Sequence, residues 1–341
     1  MKKLALWILL GVFSTALAEV SISSQPLVFF NSYGLLFVFP LYTTHILFLA
    51  PLAMGKNQPV RFSGLIFAGC LFGMYEAYIT KVLWNPPWNE HTLTILNISV
   101  FTFLVLVFFF HTWMSFIFPL LLAEYLLFSD RRIFNSLPVK LQNLLKKPFI
   151  FVVLFLFFGL ANGVGEKNIP ETVISVLGTS LIMLLLVLFA RKQFLKTQDS
   201  LVDYLPRGKA LLVIGILLAG VYANHLFNTR PEALPNFSGH GMIWLFYILF
   251  AVLLTLSRNR ISAEPVEKSY PIPKIRYTWI LYSGLYLMAA ILAVSFLKSL
   301  QPLIVIILWG VGIPFGLMMF GVAFHRLSPR KGQLSTDFPR E

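Results

Sequence analysis

Charge is scarce in this chain of 341 residues, and acidic charge is scarcest. Only 12% of the residues are Asp, Glu, Lys or Arg, and only 14 of them are Asp or Glu. A water-soluble domain carries about a quarter charged residues, so an ordinary soluble fold is excluded. Cysteine is almost absent too: Cys70 stands alone inside an apolar run, which rules out an intrachain disulfide and a Cys-based metal site. The chain has no GxxxxGK[ST], HExxH, GxSxG or CxxC and no paired-aspartate cluster. Those absences argue against ATP-driven transport by this chain alone and against the common hydrolase and redox signatures. No hydrophilic stretch is long enough to form a soluble domain that could house an active site.

Apolar residues fill the space that charge leaves. They make up 57% of the chain, including 34 Phe, and the mean hydropathy is +0.78. Predominantly apolar runs fall near 27–53, 62–84, 92–128, 148–165, 172–190, 210–228, 239–257, 277–297 and 302–324. Each is long enough to cross a bilayer core of about 30 Å. The expected fold is therefore all-α: a polytopic helical membrane protein of nine transmembrane helices, or ten if an N-terminal segment is kept. The lipid bilayer is its first partner. One membrane domain spans 19–341, with short loops and a C-terminal tail at 325–341.

That N-terminal segment fits two descriptions. Lys2 and Lys3, the apolar stretch Leu4 to Phe13, and Ala16-Leu17-Ala18 before Glu19 match the three regions of a secretory signal peptide. Residues 1–18 also fit a short first helix, although residues 4–18 would reach only roughly 22 Å.

The net charge of +13 does not point to nucleic acid, because the basic residues cluster in short loops beside the apolar runs. Counting 92–128 as one crossing puts 23 of the 27 Lys and Arg on one side. Lys167, Arg230 and Lys298 remain on the other, and Lys81 falls inside a span. Two crossings by 92–128 would destroy this asymmetry, against the positive-inside rule. The run therefore crosses once. Its excess near Phe116–Phe128, with Pro119, is expected as a kinked or interfacial extension. The same rule predicts insertion in the cell membrane with a cytoplasmic C-terminus.

Few polar residues lie within the runs. Glu76 falls near mid-membrane on a stripe with Gly69, Gly73 and Thr80, and the Gly-xxx-Gly spacing suits close helix approach. An intramembrane carboxylate is costly and marks a binding or proton-handling site by default. His45 shares a helical face with Asn31 and Gly34, and His111 with Asn97 and Ser115. Glu76, His45, His111, Asn97 and Thr80 are thus the substrate- or proton-binding candidates. Haem or a metal held by His45 and His111 is conceivable chemistry, but no metal-ligand spacing surrounds them, so no metal or cofactor is expected. Asn162, Glu166, Asn224, His225 and His240 cluster at span ends and could rim an outer entrance. Lys81 is expected to snorkel as an anchor. Glu124 is expected to pair with Arg131 or Arg132. Glycine and proline in 159–165 and 310–316 suit either broken helices or close packing.

Three functional classes follow. A non-ATP-driven transporter or carrier of a small or amphipathic solute, using the buried carboxylate, fits best. A membrane-embedded enzyme acting on a lipid or isoprenoid needs the same groups to converge on one reacting atom. A structural or assembly subunit with a membrane protein partner would leave the polar stripes packed against one another.

Overall fold

The computed structural model describes residues 2–56, 58–86, 93–194, 199–259, 270–273 and 275–327. The fold is all-α. Nine helices among the described residues are long and apolar enough to cross a membrane: α1 (Lys2–Val20), α2 (Gly34–Ala53), α4 (Val100–Leu127), α7 (Pro148–Gly165), α8 (Ile169–Phe194), α9 (Lys209–Asn228), α10 (Phe237–Arg258), α11 (Tyr277–Phe296) and α12 (Lys298–His325). A shorter apolar helix, α3 (Phe62–Ala77), lies among them. Two short helices, α5 (Arg132–Ser136) and α6 (Val139–Leu145), fill one connection.

The long run at 92–128 holds more than a helix. Thr94–Ile95 (β1) pairs antiparallel with Ile98–Ser99 (β2), with Thr94 opposite Ser99. Leu96 and Asn97 form the two-residue turn with φ of 49° and 65°, the doubly left-handed geometry that matches strand twist. The helix begins only at Val100, which brings the span down to 28 residues. Over Leu104–Ile117 it widens to π-helix before Pro119 enters the following α-helical turn. The expected ionic role of Glu124 is not found. Its two carboxylate oxygens instead accept the Ile133 and Phe134 N–H groups at 2.8 and 2.9 Å, capping α5. Arg132 pairs with Asp130 at 2.7 Å.

Hydrogen bonds between loops sort the residues into two ends. At one end Arg61 reaches Ser257 O, Arg207 reaches Met54 O, Arg131 reaches Pro271 O, Arg191 reaches Pro273 O and Arg326 reaches Ser136 O. At the other, Arg230 reaches Asn85 O, Asn162 reaches Val20 O and Lys298 reaches Lys167 O. The basic end is therefore more than a topological label. Its guanidinium groups satisfy carbonyls where helices and loops run out of backbone donors.

Helices α1 and α4 form the centre, each 72% buried, whereas α9 and α12 are 17% buried and face outward. Glycine decides how closely the central helices meet. A Cβ on Gly69 would lie 2.8 Å from Thr112 Cα, and one on Gly73 would lie 2.8 Å from Val107 Cα. The Gly69-xxx-Gly73 stripe thus presses α3 onto the π-helical part of α4. Gly159 and Gly163 do the same for α7 against α11, at the Tyr286 and Ala290 carbonyls. Both α7 and α12 run unbroken, so their glycines do not interrupt helices. The interrupted helix is α3.

Candidate functional site

The central polar site arises from the early end of α3. After Gly73 the helix tightens to a 3-10 turn over Met74–Ala77, then leaves helical structure. Glu76 sits in that turn, 6% exposed, with its carboxylate aimed at α4. There Oε1 lies 2.6 Å from His111 Nε2, and Thr80 Oγ1 donates to Oε2. His111 belongs to the π-helical stretch of α4, and its Nδ1 meets Ser115 Oγ at 2.9 Å. The glycine contacts at 69 and 73 set this geometry, since a bulkier stripe would push His111 away from Glu76.

Three further residues extend the site. Tyr75 OH lies 3.4 Å from His111 Nε2 and 2.8 Å from Tyr42 OH. Tyr42 OH donates to Glu19 Oε1 at 2.6 Å, so Tyr75 supplies the proton in the tyrosine pair. A continuous chain therefore runs Glu19, Tyr42, Tyr75, His111, Glu76. Glu19 lies in the π-helical last turn of α1, and its Oε2 is buried without a hydrogen-bond partner among the described residues.

Glu19 and Tyr75 also line a cavity of about 270 Å³, with Thr80, His225, Thr229 and Arg230 on its walls. Apolar Phe37, Val38, Leu41, Ile79 and Val82 also line it, and Ser24, Gln25 and Tyr33 add polar groups. Glu76 and His111 do not reach it. They stand behind Tyr75 and Thr80, which line the cavity and contact His111 and Glu76 respectively.

His45 joins this neighbourhood by packing rather than by hydrogen bonding to Glu76. Its ring centre lies 5.0 Å from Phe72 and 5.3 Å from Tyr75, and Phe72 also stacks on His111 at 6.1 Å. His45 Nδ1 lies 2.8 Å from Leu41 O, and Nε2 lies 3.3 Å from Tyr222 OH. Tyr222 in turn contacts Tyr247, whose hydroxyl donates to Met74 O at the start of the tightened turn. With Phe72 and Tyr75 between the rings and all four ring nitrogens engaged, His45 and His111 do not form a ligand pair.

The remaining candidates separate. Asn97 lies in the hairpin turn, where its amide donates to Asn236 at 3.3 Å. It shares no face with His111 because the helix starts after it. Asn224 is exposed, and its side-chain oxygen accepts from Asn228. His225 lines the cavity, with Nδ1 2.8 Å from Thr229 Oγ1. His240 stacks on Tyr78 at 5.8 Å, away from the cavity lining. Asn162 and Glu166 lie together at the end of α7, both buried. Burial first, and the nearby Glu171 charge, push the Glu166 carboxyl above the ordinary carboxylate range against the polar side chains of Ser175, Asn162 and Ser23 beside it. These five residues do not rim one entrance.

Lys81 overturns its expected role as a snorkelling anchor. It is 0% exposed, at φ 62°, and its ammonium donates to the carbonyls of His225 and Leu226 at 3.0 Å each and to Thr229 O. A lysine thus caps the C-terminal end of α9, where carbonyls and dipole both favour a cation.

Sequence reasoning missed Glu19, Tyr42 and Tyr75. Glu19 was masked by the signal-like pattern before it, and the tyrosines carry no sequence signal beyond Tyr75 preceding Glu76.

A helical bundle crossing the membrane many times around a buried carboxylate–imidazole pair defines a polytopic membrane protein. The chain belongs to the Uncharacterized membrane protein family, whose profile matches residues 8–329. It is similar to the "Uncharacterized protein" of Archaeoglobus fulgidus, 36% identical over 263 residues that cover 77% of this chain and 80% of that relative. No solved structure matches it.

Proposed function

We propose that the protein is a non-ATP-driven carrier of a small or amphipathic solute, coupled to proton movement through the buried chain. The observation that carries this reading is the unbroken series of contacts from a cavity-lining carboxylate, Glu19, to the enclosed Glu76–His111 pair. In the relay, a protonated Glu76 gives its proton to His111 Nε2, the resulting imidazolium passes that proton to Tyr75, Tyr75 passes one to Tyr42, and Tyr42 passes one to Glu19. The 3.4 Å step between Tyr75 and His111 is the one that must shorten, so solute entering beside Tyr75 is placed to gate it. The lining offers Glu19 to a hydroxyl or amine and apolar side chains to a hydrocarbon body. Intramembrane carboxylates next to a cavity are the usual mark of such pathways.

The positive-inside rule supports a cell-membrane location with the arginine-rich end, and hence the C-terminus, in the cytoplasm. The cavity then opens toward the outer face.

Proteoliposomes holding the full chain, given an inward proton gradient and a mixed metabolite extract, test the proposal. The expected result is lumenal enrichment of at least one solute over protein-free vesicles, read by mass spectrometry and lost in Glu76→Gln. A lumen identical to that of protein-free vesicles, or enrichment unchanged in Glu76→Gln, overturns it.

A further inference from the structure

A second polar cluster lies outside the relay, where the loop after α1 meets the ends of α7 and α8. Glu166 follows the last residue of α7, and Asn162 lies one turn earlier; the two are 3% and 0% exposed. Ser23 and Ser175 adjoin the Glu166 carboxylate from the α1–α2 loop and from α8. Ser23 can sit there because residue 165 is glycine, since a Cβ on Gly165 would lie 2.6 Å from Ser23 Cβ. Ser23 itself holds φ at 57°, a conformation costly for a side-chain-bearing residue.

Three buried oxygens in this cluster have no hydrogen-bond partner among the described residues: Glu166 Oε2, Asn162 Oδ1 and Ser23 Oγ. Native interiors rarely leave such atoms unpaired, and three around one carboxylate call for an occupant. Ser175 Oγ donates to Pro26 O at 3.0 Å and so keeps its lone pairs free. Asn162 Nδ2 donates to Val20 O at 2.6 Å and lies 3.5 Å from Glu166 Oε1, tying the cluster to the end of α1. Every free group is therefore an oxygen acceptor or hydroxyl, the donor set of a hard cation. Two helix C-termini, those of α1 and α7, converge there and present the negative ends of their dipoles. Of the charged and titratable groups nearby, Glu171 acts on Glu166, whose own charge acts on Tyr286, and no basic side chain pairs with it among the described residues.

We infer that Glu166, Asn162, Ser23 and Ser175 form a binding site for a monovalent cation, sodium. One carboxylate neutralises one positive charge, whereas a divalent ion would leave a buried charge uncompensated. The inference stands apart from the carrier reading, because sodium binding needs neither the cavity nor the relay. It adds a cation site to the segment that also carries Glu19.

The test is thermal unfolding of the purified full chain in detergent, with sodium chloride replacing choline chloride at constant ionic strength. The wild-type midpoint should rise with sodium, since a ligand that binds only the folded state stabilises it by mass action. Glu166→Gln should abolish the rise. Ser23→Gly, which removes the hydroxyl without strain at this φ, should raise the sodium needed for half the shift by about tenfold or more. Glu19→Gln and Glu76→Gln should keep the rise. Identical midpoints in sodium and choline, stabilisation by calcium without sodium, or an undiminished sodium effect in both Glu166→Gln and Ser23→Gly each overturn the assignment. A water-filled cluster gives the first of these results.

Discussion

The carboxylate of Glu76 and the imidazole of His111 meet at 2.6 Å, both all but sealed from solvent. They are brought together by the absence of side chains at Gly69 and Gly73, because any Cβ there collides with the α4 backbone. A pair held this way depends on each partner. Removing one leaves a buried polar group facing nothing, which costs more than the pair contributes.

Glu76→Ala should therefore destabilise the fold by about 3–5 kcal/mol. Adding His111→Ala should cost clearly less than the sum of the two single changes. Reversible unfolding in mixed micelles measures both, and strict additivity would show that the two side chains do not interact.

Gly73→Ala tests the approach of the helices. The new methyl meets Val107 Cα at 2.8 Å and the His111 side chain at 3.4 Å. The expected loss is about 1–3 kcal/mol from overpacking, together with loss of any transport measured for wild type. Gly284 has nothing within 4 Å of its Cβ position, so Gly284→Ala should leave both unchanged.

Lys81→Met keeps the length of the side chain and removes its three donors. It should lower stability by about 2–3 kcal/mol through uncapping the end of α9. Hydrogen exchange should quicken near Thr229 more than at the remote basic end. Uniform exchange across the protein would remove Lys81 from a capping role.

The Glu166 carboxyl should make stability depend on pH when sodium is absent. Its folded value lies above the ordinary one, so the folded state binds more protons than the unfolded chain between those values. Stability should fall as pH rises from the ordinary carboxylate range to the raised value and level off beyond it. Glu166→Gln should flatten that slope in a melting series; an unchanged slope would assign it to other groups.

The mature protein should retain residues 1–18. Helix α1 lies at the centre of the bundle, and Ser14 Oγ donates to Ser115 O at 2.5 Å beside His111. Intact-mass measurement of purified membranes decides this directly. A mass matching a chain that starts at Glu19 would exclude it.

Much of the architecture was legible from hydropathy, because a bilayer demands long apolar runs whose backbone groups bond within the helix. The spans at 148–165 and 210–228 match the observed helices within a residue. The start of the run at 92–128 is not legible, because a hairpin that carries Ile95, Leu96 and Ile98 without Gly or Pro merges with the apolar pattern of the helix that follows. Of the site, Glu76 and His111 were visible as isolated polar residues in apolar surroundings. Their contact was not, since it depends on how α3 meets α4.

By itself the sequence determined that this is a helical membrane protein, which end gathers its basic residues, and that Glu76 and two histidines are buried where polarity is expensive. The tertiary structure alone decided the partners. Helical projection assumes an unbroken 3.6-residue repeat, and the site departs from it in the 3-10 turn at Met74–Ala77 and the π-helix at Leu104–Ile117. It also recruits Glu19, which is distant in sequence from both. Partners brought in by packing across the bundle leave no periodic trace in the chain, so only the folded arrangement joins Glu76 to His111 and gives Lys81 to the end of another helix.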